Sequence, residues 1–156
     1  MNEDRGQAGL SRREILLAGA LALAGVTLVS RQVLASSAQL DEAMKALIGD
    51  AMPQEGRISL EVPQIAENGN TVPLKIEVDS PMTAEDHVKA VHIFAEGNPL
   101  PNVASFHFTP ACGEAVCATR IRLAKTQNVV AVAEMSNGEV YMAKAEVKVT
   151  IGGCGG

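Results

Sequence analysis

Val72-Pro73-Leu74-Lys75-Ile76-Glu77-Val78-Asp79 is the stretch that decides the fold. Val72, Leu74, Ile76 and Val78 alternate with Pro73, Lys75, Glu77 and Asp79, the period of two of a strand with one covered face. Asn68-Gly69 before it is a turn dipeptide, and Ser80-Pro81 ends it. The same period runs outward in both directions. Upstream, Ile58, Leu60 and Val62 alternate with Arg57, Ser59 and Glu61. Downstream, Lys89 to Ala95 reads as a third strand, and Asn98-Pro99-Leu100-Pro101-Asn102 as a loop. Phe106 and Phe108 then share one face, with Ser105, His107 and Thr109 on the other.

Thr119 to Ala124 reads as a fifth strand, with Ile121 and Leu123 inward and Arg120 and Arg122 outward. Val129 to Met135 is apolar without alternation, as expected of a strand covered on both faces. Ser136-Asn137-Gly138 closes a hairpin into a last strand from Glu139 to Ile151. There Tyr141, Ala143, Ala145, Val147, Val149 and Ile151 share a face opposite Lys144, Glu146, Lys148 and Thr150. Seven strands at this spacing predict an all-β, immunoglobulin-like antiparallel β-sandwich. Residues 39–50 predict one short helix before it: Leu40, Ala43, Met44, Leu47 and Ile48 form an apolar stripe, with Gly49 as a stop and Pro53 beyond.

The chain thus divides into a leader (1–38), a sandwich domain (39–151) and a glycine-rich tail (152–156). Ser11-Arg12-Arg13-Glu14-Ile15-Leu16 matches the twin-arginine export pattern, and the apolar Leu17 to Val29 is too short to span a bilayer but suits a signal segment. Cleavage after Ala35 and after Ala38 both fit, and an uncleaved anchor is the alternative. The expected location is therefore the periplasm. The first 38 residues hold four basic and three acidic residues, which leaves nine basic and fifteen acidic, a net −6. That balance gives no footprint for nucleic acid. With three Phe, one Tyr and no Trp, the core must be aliphatic.

In the tail, Gly152-Gly153-Cys154-Gly155-Gly156, one cysteine stands between glycine pairs. Glycine resists settling into helix or strand, and Cys154 lies three residues past Ile151, a reach of roughly 10 Å at ~3.3–3.6 Å per residue. The expectation is a flexible arm carrying one soft nucleophile narrow enough to enter another protein's cleft. No His, Lys, Arg or helix N-terminus in the tail lowers the thiol's pKa from about 8.5, so Cys154 reads as a position on which other proteins act. A disulfide to a second copy is the competing reading. Cys112 and Cys117 enclose four residues; the natural pairing in an oxidising compartment is a local disulfide between them. A disulfide to a partner subunit and a metal or redox role are the alternatives. The spacing is not that of thiol oxidoreductases. His87, His92 and His107 lack the clustered Cys, His and Met of blue-copper sites, and His92 and His107 read as ordinary strand residues. No metal site, catalytic residue or Ser-His-Asp arrangement is legible.

The terminal Gly-Gly-Cys-Gly-Gly, preceded by Glu146-Val147-Lys148-Val149-Thr150-Ile151, resembles the SoxY family. So do Ile65-Ala66-Glu67-Asn68-Gly69, Val72-Pro73, Ser80-Pro81-Met82, Thr119-Arg120-Ile121-Arg122 and the twin-arginine leader. The resemblance implies a carrier subunit without catalytic activity or cofactor, paired with SoxZ as the SoxYZ heterodimer. It implies that the haem protein SoxAX loads Cys154 with thiosulfate, that the hydrolase SoxB releases sulfate, and that SoxCD, where present, oxidises the remaining sulfur. A ubiquitin-like sulfur carrier also ends in Gly-Gly but depends on cytoplasmic ATP, against the export leader. An exported structural domain that dimerises through Cys154 is the remaining alternative.

Overall fold

The computed structural model describes residues 38–152. The expected leader, apart from Ala38, lies outside them. So do Gly153, Cys154, Gly155 and Gly156 of the tail.

A helix, α1, runs over residues 38–48. Gly49 ends it with a φ of 65° and donates its N–H to the Lys45 carbonyl at 3.0 Å, the left-handed cap that glycine adopts without a Cβ penalty. Nine strands follow: β1 (Gln54–Glu55), β2 (Ile58–Glu61), β3 (Ile65–Asn68), β4 (Val72–Val78), β5 (Val88–Ala95), β6 (Asn102–His107), β7 (Ala115–Ile121), β8 (Gln127–Met135) and β9 (Val140–Ile151). They form a sheet in the order β1-β9-β8-β5-β6, with β3 also on β9, and a three-stranded sheet in the order β2-β4-β7.

The opening stretch is β4, with Val72, Leu74, Ile76 and Val78 buried and Pro73 and Glu77 exposed. It is the middle strand of the small sheet, a place where proline normally costs a ladder hydrogen bond. Here β2 stops at the pair Glu61↔Lys75, whereas β7 continues alongside to Val72↔Ile121. Pro73 therefore sits where β4 has a neighbour on one side only, and its missing N–H breaks no pairing.

Between the sheets lies an aliphatic core that includes Leu74, Ile76, Val91, Ile93, Leu123, Val129, Ala131 and Val147, with Phe106, Phe108 and Tyr141 packed at its margin. A second cluster, Leu40, Phe94, Val130, Val132 and Val140, lies on the other face of the large sheet beneath Ala43, Met44 and Ile48 of α1. This explains the missing alternation in β8: its odd-numbered residues face the sandwich core and Val130 and Val132 face the helix.

The sandwich is all-β, as the periodicity predicts, with two differences. Among the described residues there are nine strands rather than seven, because β1 and β3 add short parallel pairings to β9 (Gln54↔Tyr141 and Ile65↔Lys148); the long pairings are antiparallel. β7 begins at Ala115, four residues before its expected start, and Asn102 opens β6 instead of closing a loop.

Candidate functional site

The geometry of the site is set by how β9 ends. β8 pairs with β9 only as far as Gln127↔Val147. From Lys148 to Ile151 the strand is held on one side by β3, through Ile65↔Lys148, Ala66↔Val149 and Asn68↔Ile151. On the other side a single hydroxyl, Thr126 Oγ1, accepts the Val149 N–H at 2.9 Å. The β3–β4 turn closes the end. Gly69 donates to the Ile151 carbonyl at 2.8 Å, and its own carbonyl accepts the Leu123 N–H at 2.8 Å. Asn68 Oδ1 accepts the Asn70 N–H at 2.9 Å, which fixes this turn.

The 122–127 segment beside it is pinned by two amides. Asn98 Oδ1 accepts from the Ala124 N–H (3.0 Å) and from Gln127 Nε2 (2.9 Å), while Asn98 Nδ2 donates to the Arg122 carbonyl at 2.8 Å. Gln127, buried, accepts the Gly97 N–H at 2.6 Å and donates to the Lys125 carbonyl at 3.1 Å. Against this segment lies Gly152. A Cβ there would collide with the Ala124 carbonyl oxygen, so the first glycine of the tail is required for close approach. Ile151 is 67% exposed and Gly152 is exposed; the chain leaves its last strand into solvent at a fixed point.

Of the expected site residues, Gly152 is placed here; Gly153, Cys154, Gly155 and Gly156 follow it outside the described residues. Neither Asn98 nor Gln127 was singled out by sequence reasoning, and nothing in sequence distinguishes them from other loop amides. Cys112 and Cys117 are free thiols, so the expected local disulfide is not present in this structure. Cys117 faces inward in β7 between buried Ala115 and Ile121. Cys112 is exposed in a 3-10 turn (Pro110–Cys112), with its sulfur 3.8 Å from Thr109 Oγ1. Burial pushes the Cys117 thiol up from its ordinary pKa, partly offset by a backbone hydrogen bond with Ile76.

His92 is a buried strand residue satisfied at both ring nitrogens: Nε2 meets Glu134 Oε1 and Nδ1 meets Ser105 Oγ, each at 2.8 Å. The sequence did not show this Ser-His-Glu alignment, because its members lie on β6, β5 and β8. It links three adjacent strands, and His107 packs edge-on to His92 with ring centroids 6.4 Å apart. Away from the tail, Arg57 has a φ of 54° and lies over the Tyr141 ring, 5.5 Å from its centroid. Its side chain donates to the Asp79 carbonyl at 2.8 Å and to Asp86 at 3.3 Å. Burial lowers the guanidinium's pKa, but the Asp86 hydrogen bond and charge outweigh it and the net shift is upward.

The outer face of the small sheet carries an open depression of about 670 Å³ lined by residues including Pro63, Pro73, Lys75 and Arg120. Lys75 is already shared between Glu61 (3.6 Å) and Glu77 (3.2 Å). Among the described residues no group of three or more His, Cys, Asp or Glu could hold a metal ion, and no helix is long and apolar enough to cross a membrane.

A family model described as sulfur oxidation protein SoxY matches residues 44–154. Among solved structures, the sulfur carrier protein SoxY from Chlorobium limicola f thiosulfatophilum is 37% identical, with a TM-score of 0.63. The match covers 74% of this chain and 99% of that one. A superoxide reductase (neelaredoxin) from Ignicoccus hospitalis has a TM-score of 0.53 at 18% identity over 60% of this chain and 80% of its own. A putative superoxide reductase from Thermotoga maritima scores 0.52 at 17% identity, over 62% and 87%. At those identities the reductases share the fold alone. A comparison with curated proteins finds no match. With the family model spanning most of the chain, including the β9 exit and the glycine-flanked Cys154, the chain belongs to the SoxY family of sulfur oxidation proteins.

Proposed function

We propose that this protein is a periplasmic covalent sulfur carrier that holds thiosulfate-derived intermediates on Cys154 and presents them to other enzymes. The observation that carries this reading is the fixed exit of β9. A strand clamped through Ile151 releases, at Gly152, a chain whose next residues are Gly153, Cys154, Gly155 and Gly156. The likeness to the sulfur carrier protein SoxY of Chlorobium limicola supports it, and the twin-arginine residues Arg12 and Arg13 support export.

The chemistry is covalent storage. Loading joins the Cys154 sulfur to the outer sulfur of thiosulfate, giving Cys–S–S–SO3⁻ with loss of the thiol proton and two electrons to the haem protein SoxAX. Hydrolysis by SoxB then adds water across the bond to the sulfonate sulfur, releasing sulfate and leaving a persulfide. SoxCD, where present, oxidises that sulfur. The carrier contributes reach and no catalytic group, and SoxZ is its heterodimer partner.

The test is the mass of the tail peptide from protein purified out of thiosulfate-grown cells, with and without reductant. Reducible adducts of thiosulfonate or persulfide mass on Cys154 are expected. A bare thiol, or only a disulfide to a second copy of the same peptide, overturns the carrier reading in favour of a structural dimer.

A further inference from the structure

The mature chain is acidic, yet its unpaired cations gather at one end. Beyond residue 38 there are nine basic residues. Of these, Lys45, Arg57, Lys75 and Lys144 are engaged in ion pairs within the described residues. The other five are Lys89, Arg120, Arg122, Lys125 and Lys148, all exposed and in no ion pair among the described residues. Lys89 lies at the start of β5, remote from the tail. The other four surround the tail's root. Lys148 is on β9 opposite Ile65. Arg122 and Lys125 flank Leu123 and Ala124, the residues that touch Gly69 and Gly152. Arg120 precedes them on β7 opposite Pro73.

Carboxylates are fewer here. Glu61 and Glu96 are spent on Lys75 and Lys144, leaving Glu67 on β3 and Glu146 on β9. The far end of the sandwich carries Asp79, Glu85 and Glu114 in its loops and turns, with Asp86 and Glu139 sharing Arg57. The root is thus a positive rim on a negative molecule. Four free cations cost self-repulsion with no compensating pair inside the domain.

Reach decides what meets this rim. The tail thiol lies no farther than roughly 10 Å from Ile151, at ~3.3–3.6 Å per residue. A protein that takes Cys154 into its active site must therefore bring the mouth of that site against the root. We propose that Arg120, Arg122, Lys125 and Lys148 form a docking rim for an acidic protein surface bordering the active-site entrance of an enzyme that acts on Cys154. Complementary charge of this kind raises association rates and orients encounter, and it weakens as salt shortens the screening length to about 8 Å at physiological ionic strength. This inference rests on the carrier reading above.

The test uses the full mature chain paired with SoxZ, carrying Arg122→Glu/Lys125→Glu/Lys148→Glu, with Lys89→Glu as the charge control. The rate at which thiosulfate is loaded onto Cys154 is followed by mass, with SoxAX of the same organism as the probe, at low and high ionic strength. Labelling by 4,4′-dithiodipyridine, a small neutral reagent, reports whether the thiol remains accessible. The triple variant is expected to load about tenfold more slowly at low ionic strength. The deficit should shrink in salt, while neutral labelling is unchanged and Lys89→Glu loads like the wild type. Equal loading of triple variant and wild type, faster loading of the variant, or an equal deficit in Lys89→Glu would each overturn the rim. A wild-type protein that SoxAX never loads would instead sink the carrier reading itself.

Discussion

At the scale of single residues, His92 shows how a polar group is spent inside an aliphatic sheet. Both ring nitrogens are satisfied, by Ser105 and Glu134, so the ring is a strut between β6, β5 and β8. Replacing it leaves Glu134, with its side chain only 25% exposed, without its partner. His92→Ala is expected to lower unfolding free energy by about 1–3 kcal/mol, measured by urea denaturation. A smaller loss in Ser105→Ala is expected, because Ser105 is exposed and water can replace it. Cys117 makes a second case. Its raised pKa means that the folded state ionises it less readily than the unfolded state does. Its contribution is whole below the free thiol's ordinary pKa and is lost as pH rises through the folded value. Unfolding free energy should therefore fall more steeply between pH 8 and pH 10 in the wild type than in Cys117→Ala. In the native protein at neutral pH, iodoacetamide should alkylate exposed Cys112 and leave Cys117 unmodified. Equal labelling of the two thiols would refute the inward placement.

At the scale of elements, β3 sets where the tail begins. Without it, Lys148 to Ile151 would lose every strand partner, since the pairing with β8 stops at Gln127↔Val147. Ala66, buried against Val149, is the residue through which β3 docks. Ala66→Asp should detach β3, and amide hydrogen exchange at residues 148–151 should accelerate by at least tenfold while β8 stays protected. Unchanged protection would show that Thr126 and the Gly69 turn suffice. This element also marks the limit of sequence reading. Val72 to Val78 and Val129 to Met135 were legible because burial on one face, or on two, writes itself into composition. Ile65 to Asn68 was not: a four-residue parallel pairing to a strand some eighty residues later leaves no local period. The early part of β7 escaped for another reason. Ala115, Val116, Cys117 and Ala118 are all small or apolar, so buried and exposed positions look alike.

At the scale of the whole molecule, the Gly-Gly-Cys-Gly-Gly motif was legible because it is a run of consecutive residues, whereas the surroundings of Gly152 were not. Arg122, Lys125 and Lys148 come together only once the β3–β4 turn is stitched to both Leu123 and Ile151, and the Asn98–Gln127 amides that hold the same segment are anonymous in sequence. The proposed division between the sandwich and a sulfur-carrying tail has a direct test. On the carrier reading, Cys154→Ser should abolish sulfur adducts in thiosulfate-grown cells while leaving the thermal midpoint within about 1 °C of the wild type. Adducts that persist in the variant would place the attachment elsewhere.

The grip on β9 has one more consequence, a mechanical one. On the carrier reading proposed above, an enzyme withdrawing from the tail would pull on Ile151, and through it along the axis of β9. The hydrogen bonds to β8 lie across that axis and those to β3 are slanted to it, so the load is shared as shear over the ladder from Gln127↔Val147 to Asn68↔Ile151. A tail rooted on a turn would peel its neighbours away one bond at a time. A tail rooted at the end of β9 spreads that load over the ladder instead.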